Sequence, residues 1–279
     1  MAHVPAERCL AIIELLADGA RDMPLGEIAE RLTLPKSGAH RLLATLVDLG
    51  WAEKDPDTSF YRLTMRLAVL GQQYYVATGI PDICQPILDR FAQQCREFAR
   101  LAVVDGHSLV WVAHAQGASG GLMYQPSLTS NTVPLFATAS GKAWLATLPS
   151  EEAMRFVMKN GGLKDADQYG PNVIRTIEAL LRELKATARR GYGLAFNEAE
   201  FGVTAVAVAI RAGDGPALGT VSIAGPSARI TEKRAHELAP IVLRTAGELS
   251  NLWPLRVGGQ GNHRRRESQG RAARRRAAA

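Results

Sequence analysis

The chain has 279 residues, 47% of them hydrophobic, and a formal net charge of +6. That length accommodates one small and one larger core, and the absence of any run of eighteen apolar residues excludes a membrane-spanning helix. Cys9, Cys84 and Cys95 form no even-numbered framework and no Cys-x-x-Cys, and the N-terminus carries no apolar leader, so a cytoplasmic protein without disulfides or membrane partner is expected.

The positive charge is not spread evenly. Residues 256–279 hold eight Arg and one Glu, and without them the chain is close to neutral. Residues 1–66 hold eight Lys/Arg against ten Asp/Glu. The tail 256–279 is rich in Gly, Ser, Ala and Arg and is expected to be disordered. It reads either as a solubilising extension or as a polycation that adds sequence-independent attraction to DNA. His3, His40, His107, His114, His236 and His263 show no ligand spacing. No metal and no cofactor are expected.

In chain order, Glu7–Ala17 predicts a first helix with Leu10, Ile13 and Leu16 or Ala17 inward. Leu25, Ile28, Ala29 and Leu32 then lie on one helical face, and Ala39, Leu42, Leu43 and Leu46 repeat that spacing. Pro35 suits the first turn of the second of these helices. The opposite face carries Lys36, Ser37, His40, Arg41 and Thr45, groups able to reach phosphates and base edges. Two helices around a tight turn, the second with a polar outer face, match a DNA-reading helix-turn-helix. Gly50 can end the helix as a left-handed cap. Trp51–Lys54 and Phe60–Leu63 read as strands around the turn cluster Asp55-Pro-Asp-Thr-Ser, which makes the motif winged. With so acidic a module, phosphate contact falls to Lys36, Arg41, Lys54, Arg62 and Arg8. Leu67, Leu70, Tyr74 and Ala77 form a coiled-coil-like seam, read as a linker helix that helps pair two subunits.

From residue 81 the pattern changes. Helices are expected at Ile83–Phe98, Ser140–Leu148, Ser150–Met158, Val173–Arg189 and Thr231–Leu252. Strands are expected at Leu101–Val104, Ser108–His114, Leu122–Gln125, Thr132–Leu135, Tyr192–Phe196, Val203–Ile210 and Leu218–Ala224. The fold class is therefore α+β with two domains. Residues 1–64 form the winged helix-turn-helix, 65–80 the linker helix, 81–255 an antiparallel sheet with helices on one side and loops on the other, and 256–279 the tail. Such a sheet suits a small-molecule pocket.

Four segments in order carry a resemblance. They are Leu25-Gly-Glu-Ile-Ala-Glu-Arg-Leu-Thr-Leu-Pro-Lys-Ser-Gly-Ala-His-Arg-Leu-Leu, Val133-Pro-Leu-Phe-Ala-Thr-Ala-Ser-Gly-Lys-Ala-Trp-Leu-Ala, Arg190-Gly-Tyr-Gly and Gly219-Thr-Val-Ser-Ile-Ala-Gly-Pro. The chain resembles the IclR (isocitrate-lyase-regulator) family of bacterial transcription factors from Glu7 to Leu252. The resemblance implies a GAF-like effector-binding second domain, a double-stranded DNA operator, a small-molecule effector, and a homodimer or dimer of dimers. It places Ser37, His40 and Arg41 in the major groove, Lys36 on phosphate and Arg62 on the wing. Gly38 stands where the family usually has Thr, so the operator is expected to differ.

The same resemblance puts the effector against Ala139, Ser140 and Gly141, whose amides favour a carboxylate, and against Ala195, Phe196, Val203, Ala205, Ser222 and Ala224. Family members with an acid at position 195 or Cys at 205 differ from this chain, which has Ala at both. The expected effector has an apolar or aromatic body and at most one anionic end.

Two motifs compete. Gly117-Ala-Ser-Gly-Gly matches Gly-x-Ser-x-Gly, but a strand is expected after it and no His/acid pair suggests itself. Gly141-Lys142-Ala143 lacks the flanking residues of a phosphate-binding loop, and Lys142 reads as a helix-surface cation. The chain is therefore not expected to be an enzyme. The alternative functions are an enzyme or a sensor that uses the second domain without reading DNA.

Overall fold

A computed structural model describes residues 4–18, 21–126 and 132–253. The Arg-rich tail lies outside the described residues. The chain divides into two compact units, one ending at Thr78 and the other beginning at Gly79.

The first unit contains α1 (Val4–Ala17), α2 (Leu25–Arg31), α3 (Lys36–Asp48), the strands β1 (Ala52–Lys54) and β2 (Tyr61–Leu63), and α4 (Arg66–Thr78). Its core is Ile12, Leu16, Met23, Ile28, Leu43, Leu46, Ala52 and Tyr61, the apolar faces that helical periodicity and the hairpin alternation bring together. Between α2 and α3, Thr33 takes a left-handed φ of 53° while the Leu34 amide donates to the Ala29 carbonyl. Pro35 sits at the N-cap of α3, one residue before the helix. Gly50 adopts φ 72°, and Trp51 N donates to Leu46 O at 2.8 Å, which closes α3 with the left-handed cap expected there. The hairpin is antiparallel, and Met23 bridges to Tyr61 beside it. Helix α4 buries none of its residues within the described chain.

The second unit is a five-stranded antiparallel sheet in the order β4-β3-β7-β6-β5. The strands are β3 (Phe98–Asp105), β4 (Ser108–Gln116), β5 (Gly193–Phe196), β6 (Val203–Arg211) and β7 (Ala217–Pro226). Helices α5 (Ile80–Cys95) and α9 (Glu232–Leu252) cover one face and share a core with the inward residues of every strand. Helices α6 (Ala139–Leu145), α7 (Ser150–Lys159) and α8 (Ile177–Arg190) belong to the other face. The sheet is thus covered by helices on both faces, not on one as the sequence suggested.

Two further expectations are corrected. No strand forms at Leu122–Gln125, and Thr132 makes only an isolated bridge to Val110. Pro126 follows the first of these segments and Pro134 lies within the second, and neither can donate to a ladder. Helix α8 starts at Ile177 rather than Val173, because the Thr176 side chain accepts from Ala179 N and caps it there.

A bulge at Leu101/Ala102 shifts the β3–β4 register, pairing Leu101 with Ala113 but Ala102 with Trp111. Leu109 and Trp111 therefore pack on the α6 side, and Ala113 and Ala115 on the α5–α9 side.

Candidate DNA-reading face and effector cavity

Helix α3 buries Ala39, Leu43 and Leu46 and exposes Lys36, Ser37, His40, Arg41 and Thr45. The Thr45 hydroxyl is turned back onto Arg41 O at 3.1 Å, but no hydrogen bond or ion pair engages the side chains of Lys36, Ser37, His40 or Arg41 among the described residues. Gly38 is half-buried, and a Cβ there would come no closer than 3.9 Å to Pro35 Cδ. The space for a side chain exists, so Gly38→Ala should stabilise the first unit by about 0.5–1 kcal/mol through helix propensity. A thermal-denaturation midpoint that falls would contradict this.

The wing is knit by its own charges. Asp55 Oδ1 accepts from Thr58 N at 2.8 Å, Thr58 Oγ1 at 3.0 Å and Asp57 N at 3.0 Å. These bonds, those from Thr58 first, hold its carboxyl below the usual aspartate range. Arg62 pairs with Glu53 at 2.6 Å, Asp22 at 3.4 Å and Asp55 at 3.9 Å. The hydrogen bond and charge of Glu53 raise its pKa. An incoming phosphate would have to displace these acids, so Arg62 organises the wing in the free protein. Lys54 lies 5.7 Å over the Tyr61 ring and is otherwise open.

The second unit holds a cavity of about 510 Å³ between the sheet, α6, the 132–136 segment and the β5–β6 loop. Side chains of alternate parity supply its floor: Arg100 and Trp111, Ser222 and Ala224, Val203 and Ala205, and Ala195. Of the nine residues expected to contact an effector, Ala139, Ser140, Ala195, Val203, Ala205, Ser222 and Ala224 line this cavity, and Gly141 and Phe196 do not. Phe196 is one residue out of phase with Ala195 and packs on the α9 side of the sheet. Gly141 is a packing residue: a Cβ would lie 2.2 Å from Leu135 O, and its amide already donates to the Thr138 cap at 2.9 Å.

Helix α6 rides low over the sheet because the contacts are small. Ala139 and Ala143 meet Ala195, Ala205 and Ala207, and Gly193 passes so close that a Cβ would lie 2.2 Å from Ala139 O. Ser140 is buried there, and its Oγ has no hydrogen-bond partner. Thr220 Oγ1 is also unpartnered but lies outside the lining, and nothing in the structure explains it.

Lys142 is the clearest departure from expectation. It is 1% exposed, not a surface cation, and its Nζ donates to both Glu198 oxygens at 2.7 and 2.8 Å. Glu183 lies 3.8 Å away and is itself held by Arg190 at 2.5 Å. Burial pushes the Glu198 carboxyl up, against the pull of Lys142. This cluster ties α6 and α8 to the β5–β6 loop, whose Ala199 and Glu200 line the cavity.

Sequence reasoning missed Arg100, Trp111, Tyr124, Phe136, Tyr169 and Glu200 in the lining. The available signal was Arg100 itself, a lone charge inside the apolar run of β3. Its guanidinium lies 4.7 Å from the Trp111 ring centroid and 5.2 Å from that of Phe98. Burial lowers its pKa, partly offset by the charges of Tyr124 and Glu200. Tyr124 is raised by burial and by Glu200. The segment carrying Tyr124 is anchored where Arg229 donates to Leu122 O at 2.8 Å while pairing with buried Glu97. Gly117-Ala-Ser-Gly-Gly lies in a loop with Ser119 exposed and no helix following it. Among the described residues no three His, Cys, Asp or Glu side chains cluster as a metal site.

The pattern of the IclR helix-turn-helix domain matches residues 5–56, and that of the bacterial transcriptional regulator IclR C-terminal domain matches residues 72–251. The chain belongs to the IclR family. This IclR-family chain is a DNA-binding transcription regulator with an effector-binding C-terminal domain. It is 26% identical over 251 residues to the HTH-type transcriptional repressor AllR of Escherichia coli, covering 90% of each chain. The Thermotoga maritima IclR structure superposes with a TM-score of 0.67 at 26% identity, covering 90% of this chain and 99% of that one. An IclR homologue from Microbacterium hydrocarbonoxydans, solved with 4-hydroxybenzoate, has the same fold, with a TM-score of 0.70, 24% identity, and coverage of 90% and 99%.

Proposed function

We propose that this regulator reads an operator through Ser37, His40 and Arg41, with Lys36 and Lys54 on phosphates, and that a small organic effector in the second-unit cavity controls it. The observation that carries the reading is the outer face of α3, whose four polar side chains are exposed and unengaged above a buried apolar face. Gly38 lies within that face and leaves room beside it for a base edge.

The cavity supports an effector with an aromatic or mainly apolar body and at most one anionic end. Its size is that of a small-ligand site, and Trp111, Phe136, Tyr169, Val203 and Ala205 give its wall aromatic and apolar surface. The relative solved with 4-hydroxybenzoate fits that description. Helix α4 supports pairing of subunits, because Val69, Leu70, Tyr74 and Val76 are all at least half exposed. A homodimer, or a dimer of dimers, would present two reading heads to two half-sites. The effector would act by favouring one arrangement of the pair, since the two binding free energies are linked. On this reading the regulator works in the bacterial cytoplasm, on the nucleoid. No helix among the described residues is long and apolar enough to cross a membrane.

The test is fluorescence anisotropy with DNA from upstream of the regulator's own gene and with random DNA. Arg41→Ala should reduce discrimination between the two by about 1–3 kcal/mol. Lys36→Ala should weaken both equally and flatten the salt dependence. Unchanged discrimination in Arg41→Ala would remove α3 as the reading element.

A further inference from the structure

We propose that Arg100 is the charge-selecting residue of the cavity, and that the effector is an aromatic monocarboxylate held between Arg100 and Ser140 with its ring against Trp111. This rests on the reading of the cavity as the effector site and adds to it the chemical class and its orientation.

Arg100 differs from two other arginines of the second unit that approach partly or fully buried carboxylates. Arg190 is paired with Glu183 and Arg229 with Glu97. Among the described residues Arg100 makes no hydrogen bond and no ion pair, although a guanidinium carries five donors. It lies against two ring faces, Trp111 and Phe98, and Glu200 acts on it only from beyond ion-pair distance. Ring faces stabilise the cation but use none of its N–H groups. A guanidinium kept charged, largely desolvated and unpaired in a cavity wall is arranged to receive an anion from outside, and its planar fork matches a carboxylate.

A second group points the same way. Ser140 Oγ is buried in the wall contributed by α6, and it has no partner of its own. A buried hydroxyl left unmet is unfavourable until something fills it. Across the floor, Ser222 stands directly opposite Arg100 in the β3–β7 register, so these two polar side chains are neighbours on one sheet face. Helix α6 packs over β5, β6 and β7, which sets Ser140 above the strand that carries Ser222. Arg100, Ser222 and Ser140 thus bring three polar side chains into the wall of a largely apolar chamber.

The rest of the lining sets the body and the charge limit. Trp111 already stacks on the guanidinium and offers an aromatic ligand a wall continuous with the anion site. The volume of about 510 Å³ far exceeds a two- or three-carbon acid and suits one or two rings. Glu200 also lines the cavity, so a second anionic group would meet a carboxylate.

The test is isothermal titration calorimetry on the full chain with benzoate, 4-hydroxybenzoate, phenylacetate and 2-naphthoate, each against its primary amide. At least one acid should bind tenfold or more tightly than its amide. Arg100→Gln should abolish that preference, and Arg100→Lys should restore part of it. Circular dichroism confirms that each variant is folded. Amides binding as tightly as acids, preference surviving in Arg100→Gln, or no acid binding at all would each overturn the proposal. Ala205→Phe, which fills the chamber, separates the two levels of the argument. If it blocks amides and acids alike while no acid preference exists, the cavity reading stands and the Arg100 proposal falls. If binding is indifferent to Ala205→Phe, the cavity reading itself falls.

Discussion

Lys142→Met is expected to destabilise the second unit by about 3–5 kcal/mol, the usual cost of removing one member of a buried ion pair. The ammonium donates to both Glu198 oxygens, at 2.7 and 2.8 Å, in a site where Lys142 is 1% exposed. Without it, the Glu198 carboxylate stays buried with Glu183 nearby and only the 3.4 Å bond from Phe196 N to satisfy it. Urea denaturation followed by circular dichroism measures the loss. The double variant Lys142→Met/Glu198→Leu should recover most of it, since the cost lies in the orphaned charge rather than in the absence of the pair. A double variant no more stable than the single would refute this account.

The variant also has a pH signature. Burial already raises Glu198 above the ordinary 4.5, and Lys142 is the main force holding it down. Removing Lys142 raises it further. A carboxyl whose folded pKa lies above its unfolded one binds a proton more readily in the folded state. Its favourable contribution is complete below the unfolded value and is lost as pH rises through the folded value. The deficit of Lys142→Met should therefore be largest at neutral pH and shrink toward pH 4.5. The effector response should suffer at neutral pH as well, because the ion pair positions the loop that brings Ala199 and Glu200 to the cavity.

Gly141→Ala should have the second largest effect. The added Cβ would lie 2.2 Å from Leu135 O and 2.4 Å from Leu135 Cα, both backbone atoms that cannot rotate away. The opposite side of α6 is closed, because Gly193 already brings β5 against Ala139 O. The helix must shift in one direction or the other. Overpacking of this kind costs about 1–3 kcal/mol. Ala139 and Ser140 move with the helix and deform the cavity wall. The expected result is a lower denaturation midpoint together with weakened ligand binding in calorimetry. Wild-type affinity in a folded Gly141→Ala protein would show that α6 tolerates displacement.

These two residues mark where the sequence stopped being readable. The face of α3 was legible because a helix at a domain surface has one buried stripe, and a period of 3.6 exposes it. Gly50 was legible for the same local reason. Helix α6 has no such asymmetry: all seven of its residues are buried, between the sheet on one side and Leu135, Phe156, Leu180 and their neighbours on the other. A lysine in that helix looks like a surface cation until the opposing Glu198, 56 residues later, is brought to it. Seven of the nine expected cavity residues came together because strand alternation and the family resemblance agree on them. Phe196 fell out through parity and Gly141 through packing. Arg100 was hidden because an inward charge on a strand has no meaning until the space in front of it is known. The α8 start was misplaced since buried Val173 extends the apolar pattern upstream of the Thr176 cap that begins the helix.

The bulge at Leu101/Ala102 has a mechanical consequence. It turns β4 into a strand with two allegiances: Trp111 faces the ligand chamber, and Ala113, two residues on, faces α5. Gln85 of α5 also donates to His114 O at 2.9 Å on the same stretch of strand. A ligand that shifted the indole would therefore press on the stretch of backbone on which α5 rests, two residues away. The cavity wall and the support of α5 share one strand, and α5 is the helix that begins at Ile80, just after the first unit ends at Thr78.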